Sequence, residues 1–366
     1  MSLMRTWMVL LPALFLAACG SDSPTAVDVD PEPEPEPSFV LLPTLGGDGS
    51  WAYSVSNDGM AVGMANNGAS DFLAVRWTAD GSVEPLLPAE ASFGTSSGVS
   101  VDGRVVAGYF REGSNPAHVF RWTESGGFED LGTVDGAAAL TWRLSGDGST
   151  IVGGANYPGT PMDAAIWTAD GTAQLLGTLG EGNRAFASAV SFDGSVVVGS
   201  SRGQPGVSGD RAFRWTAAGG MVELPGIPEG GENRADAVSP DGSRIAGHAD
   251  VGGGATRATL WVGSAEPVLL GSLGPEYLHH RAWAMTSDGA MIVGRAAFDG
   301  NHTGDRAVVW NAAGQITDLN ETWADLIPAG WRLGIAWDIS QDGRFIVGEA
   351  RSGDLTRGFL LDTAGR

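Results

Sequence analysis

Ala187-Ser188-Ala189-Val190-Ser191-Phe192-Asp193-Gly194-Ser195-Val196-Val197-Val198-Gly199 is the stretch that decides the fold. Two short, largely apolar runs flank Asp193-Gly194. An Asp side chain bonds nearby turn amides and Gly accepts positive φ, so Ala187 to Ser191 and Ser195 to Gly199 are expected to be two strands of a hairpin. The same Ser-x-Asp-Gly signature recurs down the chain. Asp-Gly stands at Asp58, Asp102, Asp147, Asp193, Asp241, Asp288 and Asp342, spaced 44 to 54 residues apart. The pattern that recurs around it is a β-branched pair, a Gly, a variable stretch, an apolar segment ending in Trp, then a turn and Leu-Gly. The Trp segment, Ala212-Phe213-Arg214-Trp215 in the fourth repeat, reads as a third strand. A fourth ends near Leu176-Gly177 or Leu270-Gly271. Four strands per repeat is the makeup of a propeller blade.

The ends of the chain suggest how the ring shuts. The last repeat stops after Gly358-Phe359-Leu360-Leu361 and never reaches its own Leu-Gly segment, whereas Phe39 to Gly47 has the fourth-strand pattern and precedes the first repeat. The expected fold is therefore all-β: a seven-bladed β-propeller of four-stranded antiparallel blades spanning 39–366, its last blade closed by the N-terminal strand. A ring of this kind removes the unpaired edges that an open array would expose.

In the third strands, His118-Val119-Phe120, Arg211-Ala212-Phe213 and Arg357-Gly358-Phe359 stand at equivalent places. With the recurrence over Phe39 to Arg366, they resemble the HAF-family extracellular repeats, named for a His-Ala-Phe run. Most repeats here carry Arg, Asp or Leu in place of the His. The resemblance implies export and a repeat architecture, and it carries no activity with it.

Residues 1–18 hold one charge, Arg5, and an apolar run from Trp7 to Leu16 that is too short to span a bilayer, the form of a signal peptide. Leu16-Ala17-Ala18-Cys19-Gly20 resembles the bacterial lipobox, which implies cleavage before Cys19 and acylation of that residue, the only cysteine in the chain. Two or three acyl chains, at about 0.8 kcal/mol per buried CH₂, would hold the protein to a membrane permanently. Gly20 in place of the usual inner-membrane retention Asp points to the outer membrane or cell surface. Residues 19–38 form a linker rich in Pro and Glu, ending in Pro31-Glu32-Pro33-Glu34-Pro35-Glu36-Pro37, which favours extended polyproline II.

Composition removes several functions. All 21 basic residues are Arg, so Walker-type phosphate binding and Schiff-base chemistry are excluded. The formal charge of −22 opposes nucleic acid and anionic membrane surfaces and suits solubility or basic partners. His118, His248, His279, His280 and His302 lack zinc-site spacing. Asp299 to Gly304 begins like a calcium loop but has Thr303 at the fifth position and Trp310 where the bidentate Glu belongs. Two Gly-x-Ser-x-Gly matches, at Gly94 to Gly98 and Gly199 to Gly203, open no helix as a nucleophile elbow requires. No metal and no cofactor are expected.

The tryptophans at 77, 122, 167, 215, 261 and 310, with Leu361 in the seventh repeat, are expected to pack between blades. The position five before each Asp differs from repeat to repeat: Tyr53, Ser97, Trp142, Ser188, Asp236, Trp283 and Trp337. Symmetry favours like residues in a core, so variation on the innermost strand makes Tyr53, Trp142, Asp236, Trp283 and Trp337 the candidate ligand-binding set. His279, His280, Trp323 and Trp331 are expected on loops of the same face, and Arg143 and Asp338 depart from the small residues one position further along. Without a convincing catalytic set, the expected function is a lipid-anchored, non-catalytic binding or interaction module for a glycan or protein ligand. The alternatives are a carbohydrate-active or other hydrolytic propeller using Asp236 with Asp338, and a purely structural envelope protein.

Overall fold

The computed structural model describes residues 36–364 apart from 70, 79–80, 158–160, 204–205, 207–208, 229, 264 and 299–303. The leader, Cys19, most of the linker and the calcium-like run at Asp299 to His302 lie outside the described residues. Among those described, no helix is long and apolar enough to cross a membrane.

Among the described residues the regular structure is β apart from one short helix, Leu319–Thr322, and antiparallel pairing groups it into seven four-stranded units. Their first strands are Ser50–Val55, Phe93–Val99, Ala138–Leu144, Arg184–Val190, Asn233–Val238, His279–Met285 and Arg332–Ile339. Units five and six are joined by one parallel bridge, Thr256 to His279. The seventh unit takes its fourth strand from the other end of the chain: Ser38–Leu41 pairs antiparallel with Leu355–Asp362, with Phe39 opposite Leu361 and Leu41 opposite Phe359. Ser38 already pairs with Asp362, so the strand begins one residue before the expected boundary at 39.

Each Asp-Gly turn works somewhat differently from a two-residue hairpin. Only the Gly takes positive φ, from +63° to +85° across the seven, while every Asp stays at negative φ. The Asp instead accepts from the hydroxyl two residues earlier, at 2.6–2.9 Å in units two to seven. Unit one makes the same contact between Ser56 and Asp58, and in unit six Thr286 replaces the serine. Turns are also tied to one another. The amides of Asn57, Val101, Asp147, Phe192 and Ser287 donate to the next unit's turn, and the Asp342 amide returns to the Asn57 side chain.

Packing between units rests on the third strands. Trp77, Trp167, Trp261 and Trp310 are fully buried, with Phe120, Phe213 and Phe359. The indoles of Trp77, Trp261 and Trp310 donate to the carbonyls of Pro43, Pro225 and Gly271. Truncating one such ring to Ala would cost about 3–5 kcal/mol. Trp122 departs from the expectation: it is half-buried beneath the Arg76 guanidinium, 4.4 Å from its ring.

A feature hidden from the sequence fixes the inner strands. In every unit the pairing of the first two strands slips at the equivalent residue, Tyr53, Ser97, Trp142, Ser188, Asp236, Trp283 or Trp337, and unit seven slips a second time at Gly334. They are β-bulges, which leave a residue unpaired and re-aim its side chain. The bulge drives the preceding main chain toward the second strand, where a Cβ on Gly63, Gly108, Gly153, Gly199, Gly247, Gly294 or Gly348 would stand 1.9–2.1 Å from a carbonyl oxygen. Only Gly fits there, which is the physical reason for the Gly that follows an apolar pair in every unit.

Candidate functional site

The first strands of all seven units line one narrow space of about 90 Å³. Above it, on the side where those strands begin, lies a cavity of about 680 Å³. A side pocket of about 290 Å³ adjoins it, sharing Trp142 and Trp337 as walls. The bulge residues face these spaces. Trp142, Ser188, Asp236, Trp283 and Trp337 line the main cavity, whereas Tyr53 and Ser97 line the side pocket.

Arg143 forms the floor. Its guanidinium reaches from unit three across the channel and donates to the carbonyls of Tyr53 at 2.6 Å, Trp337 at 2.7 Å and Trp283 at 3.4 Å. Asp338 lies in the narrow space below, where its carboxylate accepts from the Val55 amide at 3.1 Å. Desolvation raises the pKa of Asp338, opposed by the positive charge of Arg143. Asp236 lines both spaces and Asp338 only the lower one. The two carboxylates therefore do not flank a ligand-sized opening, as a glycosidase pair would.

The walls of the main cavity carry a set of charges that net charge conceals. Six arginines, Arg184, Arg202, Arg234, Arg281, Arg295 and Arg351, stand against three carboxylates, Asp210, Asp236 and Glu349. Arg202 and Arg234 both engage Asp210, Arg202 also reaches Glu232 at 3.3 Å, Arg295 pairs with Asp305 at 3.1 Å and Arg351 with Glu349 at 3.2 Å. Arg281 has no carboxylate partner among the described residues, and its Nε is buried without a hydrogen bond. Burial, then the neighbouring Arg295 guanidinium, lowers its pKa. Crowding like charges out of water is unfavourable unless something compensates it.

Asp236 is buried and its carboxylate meets His248 Nδ1 at 2.9 Å. That contact leaves His248 Nε2 buried without a partner, in a residue that lines the cavity though its ring is only 1% exposed. Trp283 Nε1 is likewise buried and unbonded. Three rings form a chain, Trp283 to Trp337 at 4.9 Å between centroids and Trp337 to Tyr53 at 5.9 Å, and Trp142 stands edge-on to Phe186 at 5.4 Å as a separate pair. Trp337 also donates to Glu349 at 2.8 Å. Burial raises the pKa of the Tyr53 phenol, keeping it neutral.

Of the neighbouring residues expected on this face, none reaches the cavity. Trp323 is buried in the core beside Leu319 and Leu333, with Trp331 packed against the same cluster. Their place after the short helix carries them outward. His280 is fully buried one residue from Arg281, because strand alternation sends neighbours to opposite faces. Sequence reasoning missed the arginines and His248. Arg234 and Arg281 each stand two residues before the slip in their first strands, and Arg202 and Arg351 three residues after the close-packed Gly of their second strands; those two repeated registers are the signal that could have found them.

No protein-family model matches the chain, and no curated protein does. Solved structures show similarity of shape. An oligogalacturonate lyase from Vibrio parahaemolyticus has a TM-score of 0.58 at 12% identity, over 89% of this chain and 96% of that one. The β-propeller domain of the Trilobed protease from Pyrococcus furiosus has a TM-score of 0.55 at 10% identity, over 87% of this chain and 97% of that one. TolB from Acinetobacter baumannii has a TM-score of 0.47 at 16% identity, and the chain spans 66% of its length. With the antiparallel sheets, the first two likenesses show a β-propeller fold.

Proposed function

We propose that this protein is an exported, lipid-anchored, closed seven-bladed propeller that binds an anionic ligand in the mouth of its channel without transforming it. The anchor rests on the lipobox at Cys19, and the closed ring on the pairing of Ser38–Leu41 with the last unit. The observation that carries the ligand reading is the convergence of six arginines on one cavity of a protein whose formal charge is −22. Arginine presents a planar fork of donors suited to carboxylate, sulfate or phosphate, and an anion would satisfy the guanidinium of Arg281. The occluded floor made by Arg143 suits a cup that holds a ligand rather than a pore.

Thermal unfolding of the full-length chain in detergent tests the reading. A polycarboxylate such as citrate at a hundred times its Kd should add about 2.7 kcal/mol of stability, and Arg281→Gln should remove most of that shift. Spermidine and a neutral sugar should leave the midpoint in place. Stabilisation by spermidine with none by any anion would overturn it.

One observation favours a second reading, a catalytic propeller. Asp236 holds His248, a residue lining the arginine-rich cavity, with Nε2 left unbonded, the pairing by which a carboxylate orients a general base. One of the similar folds is an oligogalacturonate lyase. Chromatography of trigalacturonate after prolonged incubation decides between the two: new product lost in His248→Ala would replace the non-catalytic reading.

A further inference from the structure

We propose that the ligand is an acidic oligosaccharide, one sugar's carboxylate held in the arginine half of the mouth and a neighbouring ring in the aromatic side pocket. The proposal rests on the reading that the mouth binds an anion, and goes further by naming the ligand's chemistry.

The two spaces share Trp142 and Trp337, so one molecule can occupy both. Their chemistry is sharply divided by blade. All six cavity arginines come from units four to seven. Units one to three supply the side pocket with Tyr53, Phe93 and Tyr109, and with Thr95, Ser97 and Thr141, the last two joined hydroxyl to hydroxyl at 2.8 Å. Arg143, the sole charged residue lining that pocket, already spends its guanidinium on main-chain carbonyls.

A compact polyanion would use the arginines and leave the aromatic pocket idle. A ligand filling both halves must carry an anionic group and, within a few ångströms, a flat body with an apolar face and a polar rim. A pyranose ring has that form: its C–H face lies on aromatic rings while its hydroxyls bond to Ser, Thr and Tyr at the edge. Trp142 stands 42% exposed at the junction, where a ring passing from one half to the other would meet it. A peptide held by its main chain would compete for the carbonyls of Tyr53, Trp283 and Trp337, which Arg143 occupies. Arg281, whose Nε is buried and unbonded in the arginine half, marks the place for the carboxylate.

Calorimetry on the full-length chain in detergent tests this with trimers of mannuronate, guluronate and galacturonate, neutral mannotriose, citrate, and a Glu-Tyr-Glu peptide. At least one uronate trimer should bind tenfold or more tightly than mannotriose, citrate and the peptide. Trp142→Ala, a change at an exposed ring, should weaken that trimer about tenfold and leave citrate unchanged, whereas Arg281→Gln should weaken both. Citrate binding as tightly as every trimer, or the peptide binding more tightly, overturns the sugar assignment while anion binding stands. No binding by any anion overturns both.

Discussion

Replacing Arg143 by Met keeps much of the side chain's volume and removes its charge and donors. Three carbonyls, those of Tyr53, Trp283 and Trp337, then lose a charged donor inside the channel. Hydrogen bonds to charged groups contribute about 1.5–3 kcal/mol each, not additively. The carboxylate of Asp338 also loses the positive charge that opposes its desolvation. A total cost of about 3–5 kcal/mol follows, in line with the loss of one partner from a buried charged network. At about 2.1 cal/mol/K per residue of unfolding entropy, a 3 kcal/mol loss in a domain of this length lowers the midpoint by about 4 °C. Asp338→Asn can still accept from the Val55 amide but carries no charge, so the double variant should recover about 1–3 kcal/mol relative to the sum of the singles. Urea denaturation of the four proteins measures the cycle. A cost below about 1 kcal/mol for Arg143→Met, or strict additivity with Asp338→Asn, would refute the account of the channel floor.

Gly199→Ala would place a methyl 2.0 Å from the Phe186 carbonyl, and nothing short of parting the two strands relieves it, so a loss of about 3 kcal/mol or more is expected. An unchanged urea midpoint would contradict the bulge argument. Burial, followed by the Arg257 guanidinium, pushes the pKa of His280 down to about 4, below its unfolded value near 6.5. A depressed histidine stabilises the fold fully above about 6.5, and that contribution is lost as pH falls toward 4. Between pH 7 and 4.5 the protein should therefore lose about 2.5 kcal/mol more than His280→Leu, read from urea midpoints; parallel profiles would exclude His280 as the cause. Cys19→Ser should move the protein from the membrane pellet to the soluble fraction and abolish labelling by radioactive palmitate, and retention in the pellet would remove the case for a lipid anchor.

Much of the fold was legible because symmetry repeats the signal. Seven Asp-Gly turns, the Trp-ended third strands and a missing fourth strand announce four-stranded units without any single motif being decisive. The variable position five before each Asp was also legible, and Trp142, Asp236, Trp283 and Trp337 do face the main cavity. Tyr53 faces the side pocket, and the bulge that aims all seven residues could not be read. A one-residue slip in pairing has no composition of its own; its only trace is the Gly on the facing strand, which in a chain with 56 glycines is easily passed over. The arginines were hidden for a different reason. They lie far apart in sequence, from Arg184 to Arg351, and become a cluster only when the blades bring their mouth ends together. Against 43 acidic residues, their local field disappears from any count of net charge. Trp323 and Trp331 misled because loop length does not tell which way a loop folds back.

The crystal structure of the protein with a bound uronate trimer bears most directly on the account. A carboxylate within hydrogen-bond reach of Arg281, with a sugar ring against Trp142 and Trp337, is the predicted result. A trimer seated instead on the Ser-x-Asp-Gly turn face, with the arginine cavity holding only water, would contradict it.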